Sequence, residues 1–236
     1  MTQTANVYLC FYYIRCILSE RQEVKMTRNK QKIQRLTLAA FFVALEVLMA
    51  FTPIGYIPVG ALSITTMHLP VILGGILVGP AFGAAMGFVF GFTSFIRATF
   101  EPGVTSFVFS PFITVGGISG NFNSLIICFV PRILLGLCSG LLFRALAKHC
   151  KGKAVPCMVS AGVCTMMHTF LVLGGIMVFF AKEYAAALNM NMTGIYALLM
   201  ATITSNMVLE MILAIVTIPV LYRALYPSAK RMNIIK

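Results

Sequence analysis

Residues 68–92 read HLPVILGGILVGPAFGAAMGFVFGF, a run free of Asp, Glu, Lys and Arg in which glycine recurs at positions 75, 79, 83, 87 and 91. Glycine inside a helix costs about 0.5–1 kcal/mol relative to alanine. A spacing of four puts these glycines on one helix face, so the repeated cost asks for a close approach by another backbone. Gly79-Pro80 interrupts the run, because proline opens a helix well and cannot continue one. The stretch therefore reads as a tight helical hairpin, with Gly75 and Gly79 on one arm and Gly83, Gly87 and Gly91 on the other.

Small-residue faces of this kind suit a bilayer. Lipid tails are as apolar as leucine, so helices there gain from close packing rather than from hydrophobic burial. The composition agrees, with 59% hydrophobic and 10% charged residues and a mean hydropathy of +0.93. At roughly 20 apolar residues per crossing, the chain accommodates about six spans and no separate soluble domain. They are expected at residues 36–53, 66–78, 80–98, 122–147, 155–181 and 194–225. TFEPGVTSFVFSPFITVGGISGNFN, from residue 99, is rich in Gly, Pro, Ser and Asn and reads as a long loop. The fold class is an all-α membrane protein, a compact six-helix transmembrane bundle over residues 26–236.

The net charge of +12 would suggest nucleic acid in a soluble protein, but beside apolar spans basic residues set topology. Arg28, Lys30, Lys32 and Arg35 precede the first span; Arg144, Lys148, Lys151 and Lys153 separate the fourth and fifth; Arg223, Lys230, Arg231 and Lys236 follow the sixth. Six crossings put all three clusters on one side and leave Arg97 and Lys182 on the other. The positive-inside rule then places both termini in the cytoplasm.

Residues 1–25 differ from the rest of the chain. Their apolar patch is too short to span and lacks the basic start of a signal peptide. Gln22-Glu23-Val24 can be encoded by a purine-rich sequence resembling a ribosome-binding site, and Met26 opens a basic stretch leading into a span. Residues 1–25 are thus read as an upstream extension, disordered or untranslated.

Ionisable groups within spans are costly and face a cavity or a partner. Glu46, Arg132 and Glu210 lie near mid-depth. The favoured reading is a structural ion pair, because arginine offsets a buried carboxylate; a proton relay in a carrier is the alternative. Arg97, at the outer end of the third span, either holds a ligand carboxylate through its planar fork or anchors the helix at the interface. Thr65, His68, Asn121, Asn123, Tyr196 and Asn206 complete the expected binding set at the outer mouth. Phe107, Phe109 and Phe112 are candidates for an apolar lid. His68 and His168 stand apart from any HExxH pattern, and the cysteines form no CxxC pair, so neither a metal site nor an enzyme is indicated. LTLAAFFVALEVLMA, residues 36–50, sets Ala40 and Ala44 four apart as a second small-residue face.

The stretch IPVGALSITTMHLPVILGGILVGPAFGAAMGFVFGFTSFIRA resembles the second and third helices and preceding loop of the substrate-binding S components of energy-coupling factor (ECF) vitamin transporters. VTSFVFSPF and CFVPRILLG are most similar to the pantothenate-type members. This resemblance implies a vitamin-binding subunit of a prokaryotic plasma membrane that loads from outside. It implies docking on a transmembrane coupling subunit with two ATPase subunits, whose ATP hydrolysis topples the S component and releases its cargo inward. Ala40 and Ala44 match that family's AxxxA docking motif. No cofactor is implied in this chain, and the sequence carries no GxxxxGK[ST] phosphate cradle. A proton-coupled secondary transporter of a small organic anion is the alternative, against which no inverted repeat is found.

Overall fold

In the computed structural model, the described residues are 29–231, apart from 31, 60, 61, 102, 104 and 116. The expectations for residues 1–25 lie outside that set. Seven helices appear in it: α1 (Lys32–Ala50), α2 (His68–Leu77), α3 (Pro80–Phe100), α4 (Phe122–His149), α5 (Ala154–Phe179), α6 (Ala181–Ala187) and α7 (Met192–Arg231). Five of them, α1, α3, α4, α5 and α7, are long and apolar enough to cross a membrane.

The expected second span is the exception. α2 has 10 residues, about 15 Å of helix against an apolar core of roughly 30 Å. It is nonetheless almost wholly buried, from His68 through Leu77, so its apolarity serves the protein interior. The break after it is sharp. Gly79 takes φ 139° and ψ 170°, a conformation only glycine adopts readily, and Pro80 begins α3.

The glycine stripe meets α4 as well as its own hairpin partner. A side chain at Gly83 would strike the Gly136 carbonyl and lie 2.7 Å from the Gly75 Cα. One at Gly87 would meet the Arg132 carbonyl, and one at Gly91 would come 3.1 Å from the Cys128 carbonyl. Reciprocally, Gly136 faces Gly83, and a side chain at Gly140 would come 2.6 Å from the Gly75 carbonyl and 2.8 Å from Pro80. The Cys128 thiol adds a 3.2 Å hydrogen bond to the Gly91 carbonyl. The expected hairpin thus exists, with a third helix wedged into its groove and glycines on both sides of the contact. Gly79 belongs to the turn, with the Arg144 guanidinium packed beneath it.

α1 turns Phe42, Glu46 and Ala50 inward, all at most 2% exposed and four residues apart. Phe42 meets Phe82 of α3 edge-on at 5.9 Å. Two small antiparallel hairpins interrupt the helical plan. β1 (Tyr56–Val59) pairs with β2 (Leu62–Thr65), Tyr56 opposite Thr65, and β3 (Thr114–Val115) pairs with β4 (Ile118–Ser119). The second hairpin and a 3₁₀ turn at Ser106–Val108 give order to the stretch expected as a plain loop. Two apolar clusters result. One joins α1, α2, α3, α4, α5 and α7; the other gathers Phe107, Val108, Ile127, Ile176, Phe180 and Ile195 under the loop.

Candidate functional site

Between these clusters lies a cavity of about 640 Å³, within the range of small-molecule pockets. α3 lines it with Phe90, Ser94 and Arg97; α4 with Arg132; α5 with His168 and Thr169; and the segment after α3 with Glu101, Thr105 and Phe109. α7 contributes Thr202, Asn206 and Glu210, polar residues four apart and hence on one face. Outside the long helices, burial raises the pKa of the Tyr184 phenol on α6, opposed by its side-chain hydrogen bond to Thr105.

The expected binding set divides. Arg97, Thr65 and Asn206 line the cavity. Arg97 also forms an i,i+4 ion pair with Glu101 at 3.3 Å. His68, Asn121, Asn123 and Tyr196 do not line it. Asn121 is the N-cap of α4: its Oδ1 accepts from the Asn123 backbone N–H at 2.9 Å, and its own N–H donates to Ser124 Oγ at 3.1 Å. That reciprocal box satisfies unpaired donors of the first turn, so the Asn121 side chain is committed to helix capping, while Asn123 contributes its backbone N–H. His68 opens α2 and is fully buried at 0% exposure. Tyr196 is 43% exposed on the outside of α7. Of the three lid candidates, Phe109 lines the cavity, Phe107 is buried against Phe180 at 5.9 Å, and Phe112 is 76% exposed.

Glu46, Arg132 and Glu210 do not form the expected ion pair. Glu46 is buried on α1, and neither carboxylate oxygen has a hydrogen-bond partner among the described residues. Glu210 Oε1 accepts from the Thr65 N–H at 2.9 Å and the Thr65 hydroxyl at 2.8 Å, and Oε2 accepts from the Thr169 hydroxyl at 3.2 Å. Arg132 Nη1 donates to the carbonyls of Ile127 at 3.0 Å and Cys128 at 2.7 Å. Its guanidinium carbon stands 4.9 Å from the Phe90 ring centre and 5.2 Å from that of Phe109, within cation–π range. Hydroxyls, carbonyls and aromatic faces therefore do what opposite charges were expected to do, and both Arg132 and Glu210 are left on the cavity wall.

Two residues that sequence reasoning assigned to structure thus line the cavity. The signals were present: Glu210 continues the Thr202–Asn206 spacing, and Arg132 follows a proline inside an apolar helix.

Residues 34–222 match the family model described as the ECF transporter, substrate-specific component. The chain belongs to that family. Among curated relatives, it is 34% identical over 191 residues to the pantothenic acid transporter PanT of Lactococcus lactis subsp. cremoris, a match covering 80% of this chain and 91% of that protein. It is 26% identical over 219 residues to the pantothenate transporter PanT of Leuconostoc mesenteroides subsp. mesenteroides, covering 89% and 99%. As an S component it is a multi-pass protein of the plasma membrane and the substrate-binding part of a transporter.

Proposed function

We propose that this S component takes up pantothenate, binding it from the outer side in the cavity between α3, α4, α5 and α7. The observation that carries the reading is the lining of that cavity. Two arginines and a row of hydroxyl and amide groups on apolar walls complement a small ligand bearing a carboxylate, an amide and hydroxyls. The names of both relatives point to the same ligand. Arg97 meets the ligand near the end of α3, while Thr65 and Asn206 offer hydrogen bonds to its polar atoms. α2 counts as the sixth, shortened apolar segment, and both termini lie in the cytoplasm, following the basic clusters.

In this proposal the exposed Ala40 and Ala44 admit the coupling subunit, and two ATPase subunits hydrolyse ATP to drive toppling and inward release. The chain itself supplies binding and the docking face. The test is twofold. Calorimetry on the purified chain should detect pantothenate binding. Cellular uptake should require the coupling and ATPase subunits and survive collapse of the proton gradient. Uptake that instead fails with the gradient and ignores the ATPases would favour a proton-coupled carrier of small organic anions.

A further inference from the structure

Pro131 lies inside α4, where it has no N–H to give the carbonyl four residues earlier. That carbonyl is Ile127, and the Nη1 of the next residue, Arg132, donates to it at 3.0 Å while reaching the Cys128 carbonyl at 2.7 Å. The side chain thus replaces the bond that the proline removed. Arg132 is 6% exposed, its Nε has no hydrogen-bond partner among the described residues, and it lines the cavity between Phe90 and Phe109. No carboxylate forms an ion pair with it among the described residues, since Glu210 is occupied by Thr65 and Thr169. Arg97, by contrast, already faces Glu101 at 3.3 Å. The Arg132 guanidinium lies beside Phe90 on α3, seven residues and so about 10 Å along the helix from Arg97.

A buried guanidinium without an anion is costly. We infer that Arg132 is the resting point of the ligand carboxylate, aimed into the cavity by the carbonyl that Pro131 leaves without a helix donor. Arg97 then serves the mouth and Arg132 the floor. Pro131 is a positioning residue, acting only through Arg132. The inference rests on the reading that the cargo is pantothenate.

The experiment compares pantothenate with its alcohol analogue, in which –CH₂OH replaces the carboxylate, by calorimetry on the purified full chain. A charge-assisted hydrogen bond of about 1.5–3 kcal/mol makes the wild type prefer the acid by about 10- to 100-fold. Arg132→Gln should reduce that preference to within about threefold, whereas Arg97→Gln should keep it. Pro131→Ala gives the Ile127 carbonyl a backbone donor and loosens the guanidinium. It should weaken pantothenate about three- to tenfold and leave the alcohol unchanged. A tenfold or larger preference persisting in Arg132→Gln overturns the inference. Should that variant fail to elute as a folded, monodisperse species, Pro131→Ala decides, and an unchanged preference there overturns it. A wild type that binds neither ligand removes the pantothenate reading and this inference with it. A wild type that binds both equally keeps the reading and removes the inference alone.

Discussion

Glu210 on α7 holds Thr65, the last residue of β2, by two hydrogen bonds to one carboxylate oxygen, 2.9 Å from the backbone N–H and 2.8 Å from the hydroxyl. The link joins positions 145 residues apart and ties the first hairpin to the far wall of the cavity. Thr169 on α5 donates to the other oxygen, so one carboxylate gathers three elements. Hydrogen bonds to a charged group contribute about 1.5–3 kcal/mol each. Glu210→Ala should therefore lower the detergent-solubilised protein's melting temperature clearly. Glu210→Gln should lower it less, because the amide keeps an acceptor for Thr65 and the Thr169 hydroxyl can turn to accept. Equal melting of Glu210→Ala and wild type would refute the tie.

The glycine contact between α3 and α4 predicts opposite outcomes for one substitution at two places. A methyl group added at Gly174 on α5 would have nothing within 4 Å, so Gly174→Ala should stabilise by up to about 1 kcal/mol through helix propensity. Gly136→Ala gains the same propensity but drives its methyl into the Gly83 carbonyl. Overpacking of about 1–3 kcal/mol or more prevails there. Thermal unfolding of both variants checks the sign of each.

Glu46 is buried with no cation paired to it among the described residues. Breaking a buried ion pair costs about 3–5 kcal/mol, and among the described residues no such pair holds Glu46. Glu46→Gln, of equal shape, should match or exceed the wild-type folded yield and melting temperature. A marked loss of either would show that a cation pairs with Glu46 after all.

The small face of α1 gives a prediction about transport. Ala40 and Ala44 point away from the face that buries Phe42 and Glu46, and close helix approach needs small side chains. The double variant Ala40→Trp, Ala44→Trp should bind ligand with wild-type affinity yet abolish uptake in cells containing the partner subunits. Normal uptake would remove this face from coupling.

Much of this arrangement was legible in the sequence, for identifiable reasons. The glycine period signalled backbone contact because nothing else justifies glycine every fourth residue, and the long spans emerge because a bilayer imposes a minimum length. Depth along the spans was enough to place Arg97, Thr65 and Asn206 at the cavity. Three features were not readable. α2 is only ten residues long and buried, and composition cannot tell a short buried helix from a full-length span. Asn121 suits a ligand or a helix cap equally well until the cap is seen. Arg132 was matched with carboxylates because charge seeks charge, whereas two carbonyls and two phenyl rings receive it; the adjacent proline was the clue.

The joint between α3 and α4 has a mechanical consequence. Where backbones meet through Gly83, Gly87, Gly136 and Gly140, there are no side-chain rotamers to exchange and no soft layer to deform. Sliding by one residue would bring a phenylalanine or leucine onto a carbonyl, so the seam has a single seating. The cavity wall bearing Phe90, Arg97 and Arg132 therefore moves as one plate. Compliance is left to the opposite side, where α5 meets α7 through larger side chains such as Ile215 and Met211 against Gly162.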